Sequence, residues 1–201
     1  MPPSDTLSGT RELAVLEDCQ ETIGYRFRKP ELLRAALTHT SGANTRAASN
    51  ERLEFLGDSV LGLVTCEQLF LRLPDYQEGD LTKVKSVVVS RKTCARFSQE
   101  LGLGNFLFLG KGVSNYGEIP SNMLADVFES LVAAIFLDGG WVEPRRSFCD
   151  LWSRRSIVSL VRQFAPTRNR NCNKLLSGSL AARPDISYWM SRGPITTSVS
   201  R

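Results

Sequence analysis

The sequence predicts an all-α protein, and three features of the chain support this fold class. Apolar residues recur every three or four positions through residues 1–164, which is the spacing of one face of an α-helix. Residues that begin and end helices stand between these segments, and the alternating pattern of a half-buried strand is almost absent. With 201 residues, 42% of them hydrophobic, the chain is large enough to bury a helical core.

The first three helices are predicted from their boundary residues. The amphipathic segment "RELAVLEDCQETIG" ends at Gly24, and "KPELLRAALTHTS" has Pro30 in its first turn, where a missing N–H costs nothing. A long third helix runs from Asn50 to about Leu73 and stops where "LPDYQEGD" follows.

Three more helices are predicted further along the chain. One begins at Asp80, a suitable N-cap, and continues without a break to Gly102. A strongly apolar helix, "SNMLADVFESLVAAIFLDGG", follows a glycine-rich loop, and "VEPRRSFCDLWSRRSIVSLVRQF" comes last. Residues 1–164 are therefore predicted to form one helical domain, and residues 165–201 a tail.

Charge is divided unequally along the chain. Residues 145–201 carry a net charge of +9 and residues 1–144 a net charge of −5. A basic segment of this kind suits a polyanion such as nucleic acid, although a solvated, partly disordered tail explains the charge equally well.

Composition excludes several classes of protein. The five cysteines form no C-x-x-C pair, so we expect reduced, mostly buried thiols and no zinc site. The single histidine, His39, excludes multi-histidine metal centres and di-iron bundles. No apolar run is long enough to cross a bilayer and no signal peptide is recognisable, so we expect a cytoplasmic protein with no membrane partner.

Two helices place acids among apolar residues. Glu51, Glu54 and Asp58 are three and four positions apart and share one face of the third helix, and Asp126 and Glu129 pair in the same way on the later apolar helix. Leu53, Leu56, Val60, Leu63 and Val64 lie on a different face of the third helix and are predicted to belong to the core. Any one of these acids is by itself more typical of an exposed helix face.

As a set, acids at the edge of a core repel one another unless a cation lies between them. All-oxygen ligands favour Mg²⁺, with Mn²⁺ as a substitute. Such a site suits phosphodiester hydrolysis, because the ion can activate water and neutralise charge on the phosphate. Together with the basic tail, this predicts a nuclease.

The motifs "ALTHTS", "NERLEFLGDSVL", "EGDLTKVKSVVVS" and "SNMLADVFESLVAAIFLDGG" resemble the ribonuclease III family of double-stranded RNA endonucleases, over roughly residues 15–160. The resemblance implies a ribonuclease III-type helical domain in which Glu54, Asp58, Asp126 and Glu129 are the metal-binding, catalytic carboxylates. It gives Glu51 and Glu78 supporting roles.

The resemblance also implies a homodimer that cuts both strands of double-stranded RNA and leaves 5′ phosphates and short 3′ overhangs. Phe55 lies off both the acid face and the core face, beside the small residues Ser59 and Gly62, and is predicted to enter the partner subunit. The alternative is that Phe55 packs within its own chain. We expect His39 to hydrogen-bond neighbouring segments rather than to act as a base.

The tail departs from the family pattern. Residues 165–201 contain only the beginning of what resembles a double-stranded RNA binding domain, which predicts either a truncated or frame-shifted remnant or a basic tail with salt-sensitive affinity for RNA. A noncatalytic RNA-binding or assembly protein of the same fold is therefore the alternative function.

Overall fold

The computed structural model describes the backbone of residues 4–110, 112 and 118–153, and the side chains of residues 9–110, 112 and 118–147. The domain boundary predicted at residue 164 and the tail 165–201 lie outside the described residues.

The described chain is helical, which confirms the predicted fold class. Its seven α-helices are α1 Ser4–Ile23, α2 Pro30–Leu37, α3 Glu51–Arg72, α4 Glu78–Val88, α5 Arg91–Glu100, α6 Ser121–Gly139 and α7 Val142–Ser153. Short 3-10 turns cover Arg46–Ala48 and Leu103–Phe106. Within the described ranges the β-structure is limited to one isolated bridge, between Thr38 and Phe108. None of the described helices is both long and apolar enough to cross a membrane.

Several helix boundaries lie where the sequence predicts them. Pro30 is the first residue of α2, and α3 covers nearly the whole segment predicted for it. Gly24 follows α1 with φ 68°, a left-handed conformation that glycine adopts without the strain of a Cβ.

The predicted single helix from Asp80 to Gly102 is wrong. The chain forms α4 and α5 instead, with a break at Val89 and Ser90. Ser90 is the N-cap of α5 and its hydroxyl accepts a hydrogen bond from the Thr93 N–H at 3.3 Å. A run of β-branched valines followed by a serine favours ending one helix and capping the next, and the continuous apolar pattern conceals this break.

Helix α6 lies at the centre of the fold. It packs against α2, α3, α5 and α7, and most of its side chains are buried. This environment explains its strongly apolar sequence, because little of its surface meets solvent. Its three acids, Asp126, Glu129 and Asp138, therefore need partners or space from neighbouring segments. Asp138 accepts hydrogen bonds from the Tyr25 hydroxyl and from the main-chain N–H groups of Arg28 and Lys29.

The outer face of α3, defined here as Phe55, Ser59, Leu63, Cys66 and Phe70, is exposed. Phe55 is 80% exposed, Leu63 58% and Phe70 54%. The prediction that Leu63 belongs to the core is therefore wrong. The core side of α3 is centred on Val60 and Val64, so Leu63 is turned to the outer face with Phe55 by the helical period.

Candidate active site

Helices α3 and α6 touch at Gly57. A Cβ at this position would lie 1.8 Å from the main-chain oxygen of Glu129, so no other residue allows the two backbones to come this close. Gly57 lies between Glu54 and Asp58 on α3. The close approach therefore carries both acids to the segment of α6 that holds Asp126 and Glu129.

A buried serine holds the start of α3 against α6. The Ser130 hydroxyl lies 3.2 Å from the main-chain oxygen of Asn50 and 2.7 Å from that of Asp126. The Asn50 N–H in turn donates to the main-chain oxygen of Thr38 at the end of α2, at 2.9 Å. The hydroxyl can donate its one hydrogen to either oxygen, and these contacts fix the start of α3, and with it the α3 acids, relative to the α6 acids.

Glu129 is the most deeply placed of the four acids, with only 5% of the residue exposed. Burial, followed by repulsion from the Asp58 and Glu54 carboxylates, raises the pKa of Glu129 to about 7. Its carboxyl group can therefore gain or lose a proton near neutral pH.

Glu54 and Asp126 face each other across the gap between α3 and α6. Burial raises the pKa of both carboxyl groups, and the charge of Asp126 raises the pKa of Glu54 further. The two carboxyl groups are close enough for each to affect the pKa of the other. Asp58, the fourth acid, is on the exposed side of α3.

Arg91, the first residue of α5, bridges two of the acids. Its Nη1 lies 3.8 Å from Oε1 of Glu54, and its Nη2 contacts Oδ1 of Asp126. Its positive charge lowers the pKa values of these two acids and of Glu129, against the larger effect of burial. From the sequence, Lys83, Lys85, Arg91 and Lys92 are typical of a solvated helix face from which some residues could contact phosphate, and this pattern does not predict the contact of Arg91 with the acids. The contact depends on the break between α4 and α5.

Glu51 forms an ion pair with Arg46 rather than with Arg91. Its carboxylate accepts two hydrogen bonds from Arg46, at 2.7 Å and 3.1 Å, and this contact lowers the pKa of Glu51. Glu51 is thus part of the acid face of α3, as predicted, but it is neutralised separately from the other acids.

His39 lies at the edge of the site. Its Nδ1 accepts a hydrogen bond from the Ser41 N–H at 3.1 Å, and its main-chain N–H donates to the Phe108 main-chain oxygen at 3.2 Å. A positive charge on His39 lowers the pKa values of Glu51 and Asp126. The imidazole itself contacts Thr40 and Ser41, and the bond to Phe108 belongs to the main chain, so the role of the side chain in joining segments stays a prediction.

Glu78 lies elsewhere, in the first turn of α4. It is exposed, and its carboxylate accepts a hydrogen bond from the Thr82 hydroxyl at 2.8 Å. It lines an open groove of about 400 Å³ together with Phe70 of α3 and Lys85 of α4. No contact in the described part of the chain joins Glu78 to the four acids.

Cys94 is a further residue of the site that sequence reasoning did not assign to it. Its side chain is fully buried and lies against the Glu129 carboxyl group, and burial raises the pKa of its thiol well above the usual range. Cys19 is also a buried free thiol, which agrees with the prediction of reduced cysteines. An apolar helix position occupied by cysteine carries no signal that it faces a carboxylate.

The side chains of the four acids do not converge on one position where a metal ion could bind. Over the residues whose side chains are described, no three histidine, cysteine, aspartate or glutamate side chains are arranged to hold a metal ion. The Glu54 and Asp126 carboxylates are engaged with each other and with Arg91 instead.

Comparisons with known proteins agree with this architecture. A family model described as Ribonuclease-III-like matches residues 29–151. Ribonuclease 3 of Rhodopirellula baltica is 56% identical over 183 residues, which are 90% of this chain and 68% of the relative. Ribonuclease 3 of Symbiobacterium thermophilum is 48% identical over 130 residues, 64% of this chain and 55% of the relative.

Solved structures show the same fold. Two solved structures of the nuclease domain of ribonuclease III from Campylobacter jejuni superpose with TM-scores of 0.64 and 0.61, at 35% and 32% identity. The matches cover 68% and 76% of this chain and 94% and 97% of those domains. One of the two is described as showing flexibility in a region involved in dimer formation of that domain.

The chain spans between 55% and 68% of the length of these two curated relatives. The predicted helical fold and the predicted resemblance are both confirmed by the family model and by the relatives. The chain therefore belongs to the ribonuclease III family, and residues 29–151 form its ribonuclease-III-like domain.

Proposed function

We propose that this protein is a Mg²⁺-dependent endoribonuclease that hydrolyses phosphodiester bonds of double-stranded RNA in the cytoplasm. The products would carry 5′ phosphates and short 3′ overhangs, and the active form would be a homodimer. The observation that carries the proposal is that the α3–α6 contact brings Glu54 and Asp58 to the segment of α6 that holds Asp126 and Glu129, with burial raising the pKa values of Glu54, Asp126 and Glu129.

The donor atoms suit a hard divalent ion. Glu54, Asp58, Asp126 and Glu129 offer only carboxylate oxygens, the ligands that Mg²⁺ and Mn²⁺ prefer. Burial raises the pKa values of Glu54, Asp126 and Glu129, so a divalent ion bound between these acids would stabilise the charged form that burial disfavours. Side-chain rotations that separate the Glu54 and Asp126 carboxylates would be needed before the four acids converge, and exposed Asp58 has the freedom to join them.

When bound, the ion would lower the pKa of water and neutralise charge on the phosphate. The chain contributes the remaining parts. Glu129 would hold the ion as a carboxylate, and because its pKa is about 7 when no ion is bound, binding of the ion would release a proton near neutral pH. Burial of Glu129 and the contact of its main chain with Gly57 fix the position of its backbone, which favours a fixed geometry at the ion.

Two observations support the homodimer. The outer face of α3 exposes Phe55, Leu63 and Phe70 together, and such a stripe is typical of a surface covered by a partner. The related Campylobacter jejuni nuclease domain is described in terms of dimer formation. A two-fold pair would place two sites against one duplex, one for each strand.

The test is cleavage of an end-labelled RNA hairpin by the purified chain with Mg²⁺, with Ca²⁺ and with EDTA. We expect Mg²⁺-dependent cutting that falls by on the order of 10²-fold to 10³-fold in Glu129→Gln, because this change removes a charged group from the reacting centre. Glu31→Gln, which changes an exposed acid on α2, is the matched control and should cut at the wild-type rate.

Cutting that persists in EDTA or in Glu129→Gln would contradict the proposed site. Retention of the hairpin without any cutting, by a chain shown to be folded and dimeric, would contradict the enzyme and favour the noncatalytic RNA-binding alternative.

A further inference from the structure

Arg91 provides the positive charge beside Glu54 and Asp126, and it does so from the protein surface rather than from the core. As the first residue of α5 it follows the Ser90 cap, and its side chain remains 60% exposed while it contacts Glu54 and Asp126. The Glu54 and Asp126 side chains are only 27% and 17% exposed, so the positive charge of Arg91 mainly compensates the charge of these two acids. Its effect is therefore expected on the acids rather than on the core.

The guanidinium and a divalent ion would require the same atoms. Nη1 is directed at Oε1 of Glu54 and Nη2 at Oδ1 of Asp126, so the two ends of the planar group engage one acid from α3 and one from α6. These oxygens are among the ligands proposed for the ion. While Arg91 contacts Glu54 and Asp126, these two carboxylates are not free to bind the same metal ion.

We propose that Arg91 is an exchangeable counter-ion, which neutralises Glu54 and Asp126 in the metal-free protein and is displaced from them when the divalent ion binds. This inference rests on the proposed function, because it assigns these acids to a metal. Two consequences follow. Arg91 sets how much divalent ion the site requires, and the displaced guanidinium, still at the rim of the site, becomes available to a phosphate of the RNA backbone.

The proposal is tested by metal binding without RNA. Mn²⁺ is titrated into the full, EDTA-stripped and dialysed chain, and the free ion is measured by its electron paramagnetic resonance signal. We expect Arg91→Ala to bind Mn²⁺ about fivefold more tightly than the wild type, because a competitor is removed and the acids repel more strongly without it. Arg91→Lys keeps the positive charge but loses the planar guanidinium that contacts both acids. Its Mn²⁺ affinity should therefore lie between those of the wild type and Arg91→Ala.

Lys92→Ala is the matched control, because Lys92 is the next residue of α5, is exposed and carries the same charge. Its Mn²⁺ affinity should equal that of the wild type. In the absence of Mn²⁺ the melting temperature of Arg91→Ala should be below that of the wild type, and the difference should shrink at saturating Mn²⁺.

Equal or weaker Mn²⁺ binding by Arg91→Ala would overturn the exchange, as would equal tightening in Lys92→Ala, which would indicate a general charge effect. Failure of the wild type and of every variant to bind Mn²⁺ would instead overturn the metal site of the proposed function, and with it the exchange. The two failures are thus distinguishable in one titration series.

Discussion

Gly57 lies so close to Glu129 that a Cβ on Gly57 would be 1.8 Å from the Glu129 main-chain oxygen. This contact decides where the two acid pairs meet, because Glu54 and Asp58 flank Gly57 and Asp126 precedes Glu129 by one turn. The geometry of the site is therefore set by a residue that has no side chain and no chemistry of its own.

Gly57→Ala should be strongly destabilising, although alanine is the better helix former. The added methyl carbon meets backbone rather than a movable side chain, so α3 and α6 must separate. We expect the free energy of unfolding to fall by about 3 kcal/mol, measured by urea denaturation, with a parallel loss of Mn²⁺ affinity.

The control is Gly9→Ala in α1, where a Cβ would meet nothing within 4 Å. Its free energy of unfolding should rise by up to about 1 kcal/mol, from helix propensity alone. A stabilising effect of Gly57→Ala would show that the two helices lie further apart than the structure places them.

Sequence patterns predict the acids and the helices well, because both depend on spacing within one helix. The period of 3.6 residues places Glu54 with Asp58, and Asp126 with Glu129, without any knowledge of the neighbours. Phe55 was likewise predicted to leave the core face, and it is exposed.

Contacts between helices are what the sequence does not predict. Arg91 and Asp126 are 35 positions apart, and their contact depends on the turn between α4 and α5 that the continuous apolar pattern conceals. The helical period shows which residues of α3 share a face, but it does not show which faces the neighbouring helices cover. The prediction that Leu63 belongs to the core is wrong for this reason. Gly57, a glycine within a helical pattern and between two acids, was the one available signal of close approach.

Glu129 should make the metal-free protein lose stability as pH rises. Its pKa is 4.5 when unperturbed and about 7 in the fold, so between these values the folded chain keeps a proton that the unfolded chain has released. Raising the pH through this window therefore favours unfolding, and the loss should be on the order of 3 kcal/mol.

The measurement is the free energy of unfolding in EDTA at several values between pH 4.5 and pH 7.5, for the wild type and for Glu129→Gln. The difference between them isolates Glu129, because the other titrating groups remain in both. Parallel curves for the two proteins would be inconsistent with a raised pKa at this residue.

Glu51 and Glu78 should matter less for metal binding than the four acids at the α3–α6 contact. Glu51 is already neutralised by Arg46, and Glu78 lies in a separate groove on α4. We expect Glu51→Gln and Glu78→Gln to keep Mn²⁺ affinity within about twofold of the wild type, as is usual for groups without shared partners.

Asp126→Asn is the comparison, and it should weaken Mn²⁺ binding far more than either of these changes. Comparable losses in all three variants would place Glu51 and Glu78 among the ion's ligands. Their effect on RNA cleavage is a separate measurement, since either acid can act on the RNA without touching the metal.

Phe55 should control self-association without supporting the fold. It is 80% exposed on the outer face of α3, so Phe55→Ala removes little buried surface within the chain. If the ring enters a partner subunit, its loss should raise the dimer dissociation constant by about thirtyfold or more, as for a buried aromatic anchor, while the melting temperature of the monomer stays the same. Sedimentation equilibrium over a range of protein concentrations measures this constant.

Leu13→Ala, at a 66% exposed apolar position on α1, is the control for a general loss of surface hydrophobicity and should leave the constant unchanged. An unchanged constant in Phe55→Ala would move the interface off this face, whereas a large loss of monomer stability would support the alternative that Phe55 packs within its own chain.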